Sequence, residues 1–245
     1  MDPRPPAIPH DQRPRSRVLT MPSMSPERAV FFSRIINIVA LLGLLLVLAG
    51  SLHLQFGIGE QPCPLCLVQR SGMIGLAVGP LMNLMWGIRA RHYAISILAA
   101  FAGGAGSVRQ ILLHIQPGDP GYGPEFLGWH LYTWALVTFA VGAVGCAALL
   151  MWQTPLDAGD TGVMGKRGPM RAASLFVAAF VTIDLLIIAI SVIPECGLGM
   201  CPDDPPNISG VGDMGGWIAL LVVALVSAVI AFVLDRKLPE KPIRA

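Results

Sequence analysis

Six stretches of this chain are long and apolar enough to exclude a soluble fold: 29–50, 71–88, 92–113, 129–152, 173–193 and 217–234. A hydrocarbon core about 30 Å thick is crossed by roughly 20 residues of helix. Inside lipid every backbone N–H and C=O must be satisfied within the chain, so each stretch is predicted to be a helix. Composition agrees: 13% of residues are charged, against about 25% in a soluble domain, and mean hydropathy is +0.64. The expected fold is an all-α membrane protein. Spans one to four, over 29–152, form a four-helix transmembrane bundle, and 173–234 form an appended transmembrane hairpin. Residues 1–28 are rich in Pro and Arg without an apolar core, so they are expected to be a disordered tail rather than a cleaved signal. Residues 153–172 and 235–245 are expected as a loop and a tail on the same side. The second stretch is the weakest, with Pro80 and Asn83 inside it, and neighbouring helices must re-satisfy its backbone. The third carries Gly103, Gly104 and Gly106, which suits close helix packing.

Basic residues set the orientation. Arg4, Arg13, Arg15, Arg17, Arg28, Arg34, Arg89, Arg91, Lys166, Arg167, Arg171, Arg236, Lys237, Lys241 and Arg244 fall on one side, 15 of the 17 Lys and Arg residues. That side is expected to be the cytoplasm, with both termini in it. The opposite loops hold Glu60, Asp119, Glu125, Glu195, Asp203, Asp204 and Asp213. Arg70 and Arg109 break the pattern at the outer ends of spans two and three, so each needs a reason.

Both close cysteine pairs land outside, in the compartment where disulfides persist. Cys63-Pro64-Leu65-Cys66 is a C-x-x-C just ahead of span two. The positive end of that helix and Arg70, four residues after Cys66, would favour a reactive thiolate there. The alternatives are an inert disulfide, or a zinc site that recruits Cys196 and Cys201 as third and fourth ligands. Cys196-Gly-Leu-Gly-Met-Cys201 lies in a loop whose glycines free the backbone between the sulfurs. It is either an electron relay between a soluble partner and Cys63/Cys66 or a structural clip.

Residues 62–70, Pro-Cys-Pro-Leu-Cys-Leu-Val-Gln-Arg, resemble the signature of the disulfide bond formation protein B (DsbB) family. Residues 121–134, Gly-Tyr-Gly-Pro-Glu-Phe-Leu-Gly-Trp-His-Leu-Tyr-Thr-Trp, resemble that family's entry into its fourth helix. The resemblance covers roughly 30–152. It implies a bacterial inner-membrane enzyme whose C-x-x-C passes electrons to a ubiquinone or menaquinone beside it, with Arg70 at the quinone. It also implies that a second cysteine pair, facing the periplasm, oxidises a thioredoxin-like partner of the DsbA type. The family normally carries that pair between helices three and four. Residues 114–128 contain no cysteine, so the added hairpin is expected to carry the displaced pair, Cys196 and Cys201.

Arg109 and His114, near the outer end of span three, are expected either to contact the quinone head group or to anchor the interface. His53 and His130 have the same choice. Asp184 lies mid-span, where a carboxylate is costly and is by default a functional hypothesis; a hydrogen-bonded interhelical contact is the alternative. Cys146 is expected as a small buried hydrophobe. No metal centre and no nucleic-acid partner is expected. Rival readings are an enzyme like vitamin K epoxide reductase, a metal-handling membrane protein built on the four outer cysteines, and a non-catalytic scaffold.

Overall fold

The computed structural model describes residues 24–165, 167–197, 199, 201–202 and 208–240. Most of the expected N-terminal tail lies outside those residues, as do Asp203, Asp204, Lys166, Lys241 and Arg244. α1 (Pro26–Leu52) runs straight into a π-helical turn, His53–Ile58. α2 (Pro64–Trp86) and α3 (Ala90–Leu113) follow. A two-stranded antiparallel ribbon, β1 (Glu125–Phe126) and β2 (Trp129–His130), leads into α4 (Leu131–Met151). A short α5 (Gln153–Asp157) precedes the long α6 (Pro169–Cys196) and α7 (Gly212–Lys237). Six of these helices are long and apolar enough to cross a membrane. The protein is an all-α, multi-pass membrane protein.

Its surface is inverted relative to a soluble fold. Leu46, Leu98 and Val144 point outward at 74%, 71% and 69% exposure, while Asn37, Asn83, His92, Ser96 and Ser107 are buried. Apolar exposure on that scale fits lipid, not water.

The bundle is built on close helix contact at small residues. Gly72 of α2 meets Gly103 of α3, and the Phe139 ring of α4 lies against both, so a side chain at Gly103 would overlap that ring. Pro80 lacks the N–H that would have bonded the Leu76 carbonyl. Ser96 Oγ of α3 donates to that carbonyl at 2.7 Å and accepts from Gly79 N–H at 3.2 Å. Asn83 is a hub rather than a weakness. Its Nδ2 donates to Asn37 Oδ1 at 3.1 Å, and its Oδ1 accepts from Arg89 N–H at 3.1 Å and from His92 Nδ1 at 2.8 Å. Asn37 in turn donates to Tyr93 Oη at 2.9 Å, so α1, α2 and α3 are tied together by a buried polar network.

The hairpin shares this core. Val177, Phe180, Val181 and Ile188 of α6 pack in one cluster with Leu41, Leu45 and Leu48 of α1 and Met73 and Leu76 of α2, with Leu220 and Val223 of α7 alongside. Truncating one such buried leucine costs about 2–5 kcal/mol. At the opposite end from the cysteines, Arg171 pairs with Asp235 at 2.8 Å and donates to the carbonyls of Gly165 and Leu238 at 2.9 and 3.0 Å. Arg34 likewise pairs with Asp160, which ties the 3-10 turn Gly162–Met164 to α1.

Candidate functional site

α2 begins seven residues earlier than the apolar run at 71, because the chain supplies start signals there. Pro64 takes the first helical position, where its missing N–H costs nothing. Cys63 is the N-cap, and its Sγ accepts from the backbone N–H of Cys66 at 3.1 Å. Cys63 and Cys66 are joined in a disulfide, Cα–Cα 5.0 Å. The pair therefore sits on the helix end itself, where the unsatisfied N–H groups favour negative charge on a reduced sulfur.

Cys66, Gln69, Arg70 and Met73 recur at i, i+3, i+4 and i+7, which puts them on one face of α2. That face looks into a cavity of about 470 Å³. Leu46 and Gly50 of α1, Leu54 of the π-helical turn, Gln110 of α3, and Tyr132, Trp134, Ala135 and Thr138 of α4 line it, with Glu60 and Tyr122 from the outer loops. The lining is mainly apolar and aromatic with a few convergent polar groups, and its volume falls in the range of small-molecule sites. Burial pushes the Glu60 carboxyl above the usual carboxylate range.

Two side-chain chains organise the walls. Gln69 Nε2 donates to Gln110 Oε1 at 2.7 Å, and Gln110 Nε2 donates to Cys63 Sγ at 3.3 Å, with Cys66 Sγ at 3.8 Å. Arg70, 7% exposed, donates to Gln55 Oε1 at 2.6 Å and to the Ser51 carbonyl at 3.0 Å. Its charge thus bridges α2 to α1 just where α1 widens into the π-helical turn, a distortion that is frequent at functional sites.

The other sequence-derived residues are dispersed. Arg109 is exposed and does not line the cavity, although its neighbour Gln110 does. His114 pairs through Nδ1 with Asp119 at 3.0 Å and stacks on Tyr132, so it reaches the cavity only through that ring. The Gly121 N–H and His114 hold the Asp119 carboxyl below the usual carboxylate range. His130 also stacks on the Tyr132 ring, with ring centroids 5.2 Å apart. Cys146 is free and buried. Cys196 is the last residue of α6 and forms a disulfide with Cys201, Cα–Cα 4.2 Å. Among the described residues, no group of three or more His, Cys, Asp or Glu is placed to hold a metal ion.

The third outer loop is fastened next to the first. Ile208 N–H donates to the Gly59 carbonyl at 2.9 Å and Val211 N–H to the Phe56 carbonyl at 2.8 Å. Gly210 lies so close to the Gly57 carbonyl that any side chain there would overlap it. The chain leaving Cys201 is therefore docked by its backbone onto the segment that enters Cys63.

Sequence reasoning missed Gln55, Gln69 and Gln110. A signal for two of them was present: amides inside otherwise apolar spans, at helical spacing from Cys66 or beside Arg109.

The family model described as disulfide bond formation protein DsbB matches residues 33–123. Disulfide bond formation protein B of Chromobacterium violaceum is 34% identical over 138 residues, covering 46% of this chain and 78% of that protein. Its counterpart in Burkholderia thailandensis is 31% identical, covering 47% of this chain and 89% of that protein. That of Stutzerimonas stutzeri is 38% identical over 90 residues, or 35% of this chain, which spans about half of the relative's length, 55%. No solved structure matches. Cys63, Cys66, Arg70 and Gln110 lie inside the matched family region, and Cys196 and Cys201 lie beyond it.

Proposed function

The chain belongs to the DsbB family of disulfide bond formation proteins, and from that premise we propose that it is a protein dithiol:quinone oxidoreductase. It oxidises a DsbA-type, thioredoxin-like partner outside the cytoplasm and passes the electrons to ubiquinone or menaquinone in the bacterial inner membrane. The cysteine loops face the periplasm, and both termini are cytoplasmic, in keeping with the distribution of Lys and Arg. The observation that carries the reading is the placement of Cys66 and Arg70 on one face of α2, lining a cavity among membrane-spanning helices.

The cavity fits a quinone ring. Its walls are apolar and aromatic, and Arg70, Gln69, Gln110 and Tyr132 supply polar atoms for ring oxygens. A bound quinone supplies a two-electron, two-proton acceptor. The chain does the rest. A thiolate of the partner attacks the Cys196–Cys201 disulfide and forms a mixed disulfide, which the partner's second thiol resolves. The partner leaves oxidised and the loop holds two thiols. A thiolate of that pair then opens Cys63–Cys66 by the same exchange, and the Cys196–Cys201 bond reforms. The helix end and the Gln110 amide stabilise negative charge on the released sulfurs. Cys66, which lines the cavity, would face a quinone held there, and the Cys63–Cys66 bond would close as that group took up the electron pair. The two thiol protons would balance the two such an acceptor takes up, and Glu60, at the cavity wall with its carboxyl raised above the usual range by burial, is placed to hold one of them.

The test is quinone reduction by the purified protein with a reduced thioredoxin-like substrate. The reading requires one quinol per partner disulfide formed. Partner oxidation without quinol would refute it.

A further inference from the structure

A second cavity lies on the other side of α1, between that helix and the appended hairpin, with a volume of about 290 Å³. Its walls are Ala49 and Leu52 of α1, Phe180 and Ile187 of α6, and Leu220 and Val223 of α7. One of its lining residues is Asp184, which recurs with Phe180 and Ile187 at i+4 and i+7 on one face of α6. Asp184 is 4% exposed, and among the described residues its Oδ2 meets no hydrogen-bond partner. An ionisable side chain at that depth is expensive unless something satisfies it. At the outer end of the same cavity His53 pairs with Asp213 at 3.1 Å and lies beside Trp217. Among the described residues, the cavity thus has an apolar body with the unpartnered Asp184 carboxyl oxygen in its wall.

Its position says which molecule reaches it. The two cavities share two lining residues, Leu46 and Gly50, both on the exposed stripe of α1. Nothing lies within 4 Å of where a side chain on Gly50 would begin. A lipid-soluble ligand that enters the first cavity therefore meets the same stripe of α1 that borders the second. A quinol meets the remaining requirement, since its hydroxyls both donate and accept, and so satisfy a carboxyl in either protonation state.

We infer that this chain holds a second quinone/quinol site between α1 and the α6–α7 hairpin, with Asp184 as the residue that hydrogen-bonds the head group. The inference rests on the quinone reading of the first cavity and extends it. The second site is a staging position in which a pool molecule waits beside the catalytic cavity, and it gives the added hairpin a role apart from its cysteines.

The test uses the full chain in quinone-free phospholipid nanodiscs, a photoreactive azidoquinone, and peptide mapping after irradiation. Wild type should be labelled on α2 or α4 and also on α6 or α7. Asp184→Leu should reduce the α6/α7 labelling by about tenfold, the scale of one lost hydrogen bond to a buried polar group, and leave the α2/α4 labelling unchanged. Ala49→Phe, which keeps Asp184 but fills the cavity, should do the same. Excess unlabelled quinone should displace the α6/α7 label. Label on α2/α4 alone overturns this inference and leaves the proposed function standing, whereas absence of label from both cavities overturns both. The inference also falls if the α6/α7 label persists in both variants, or if added phospholipid displaces it and quinone does not.

Discussion

Cys63–Cys66 caps the start of a helix, whereas Cys196 is the last residue of one. The ends of a helix carry opposite partial charges, each worth about 0.3–1 kcal/mol to a nearby charge. A thiolate is favoured at Cys63/Cys66 and disfavoured at Cys196/Cys201. Stabilising the reduced, ionised form makes a disulfide the stronger oxidant. Electrons are therefore expected to run from the hairpin pair to the C-x-x-C, the direction in which a relay from partner to quinone must work. Surroundings sharpen the contrast. Cys63 is 6% exposed and receives a hydrogen bond from Gln110, which Gln69 holds in place. The hairpin pair sits on a loop whose only described fastening is at Ile208 and Val211. One pair is built into a helix end beside a cavity, and the other lies on the loop that the proposed relay would present to a soluble protein.

The largest effect belongs to the C-x-x-C. Cys66→Ser should lower quinone reduction by at least about 1000-fold with any thiol donor, as loss of a reacting group does, while the protein still inserts. Residual turnover near wild type would erase the distinction between the pairs. Next comes the double variant Cys196→Ser/Cys201→Ser. Oxidation of a protein partner should fall by at least about 100-fold, the scale of removing a positioned catalytic group, yet a small dithiol should still drive quinone reduction at the wild-type rate. Equal loss with both donors would give the two pairs one role instead of two.

Arg70→Ala is expected to be milder. It removes hydrogen bonds to Gln55 and Ser51, costing about 1–3 kcal/mol of stability, and should raise the apparent KM for quinone about tenfold, or about 1.4 kcal/mol. Steady-state kinetics with partner and quinone varied separately would show it. A change confined to the partner's KM would move Arg70 from the quinone to the docking surface. Arg109→Ala, on an exposed face, should change the quinone KM less.

The smallest effect concerns the loop after α3. The Asp119 carboxyl is depressed in the folded protein by the Gly121 N–H first and by His114 second. A depressed carboxyl stabilises the loop fully above its ordinary unfolded value, near 4. That contribution is lost as pH falls through the lowered folded value. Hydrogen exchange at the Gly121 amide should therefore accelerate only below that range, beyond the intrinsic pH dependence, and Asp119→Asn should remove the transition. Catalysis by the C-x-x-C should be unmoved.

The six spans were legible because a 20-residue apolar run has few alternatives. The start of α2 was not, since Pro-Cys-Pro-Leu-Cys reads as loop until Pro64 is recognised as a first helical residue and Cys63 as a cap. Cys66 and Arg70 were legible as a pair because i+4 spacing is local. Their partner Gln55 was not, since it approaches Arg70 across a loop from another helix. Along α3 the charge of Arg109 is legible but not its orientation: a step of one residue turns Arg109 outward and Gln110 inward. Asn83, which looked like a flaw in an apolar run, is satisfied by groups on α1 and α3 that no local pattern links to it. His114 and Tyr132 meet only after the chain folds back into α4.

On the proposed reading, Cys63/Cys66 alone transfers electrons to the membrane acceptor and the hairpin pair only feeds it. The direct measurement is an anaerobic single turnover of the Cys196→Ser/Cys201→Ser protein, reduced beforehand and mixed with quinone, with quinol and the Cys63–Cys66 disulfide both quantified. One quinol per disulfide is expected, formed at the wild-type rate. Quinol that fails to form unless Cys196 and Cys201 are restored would contradict it.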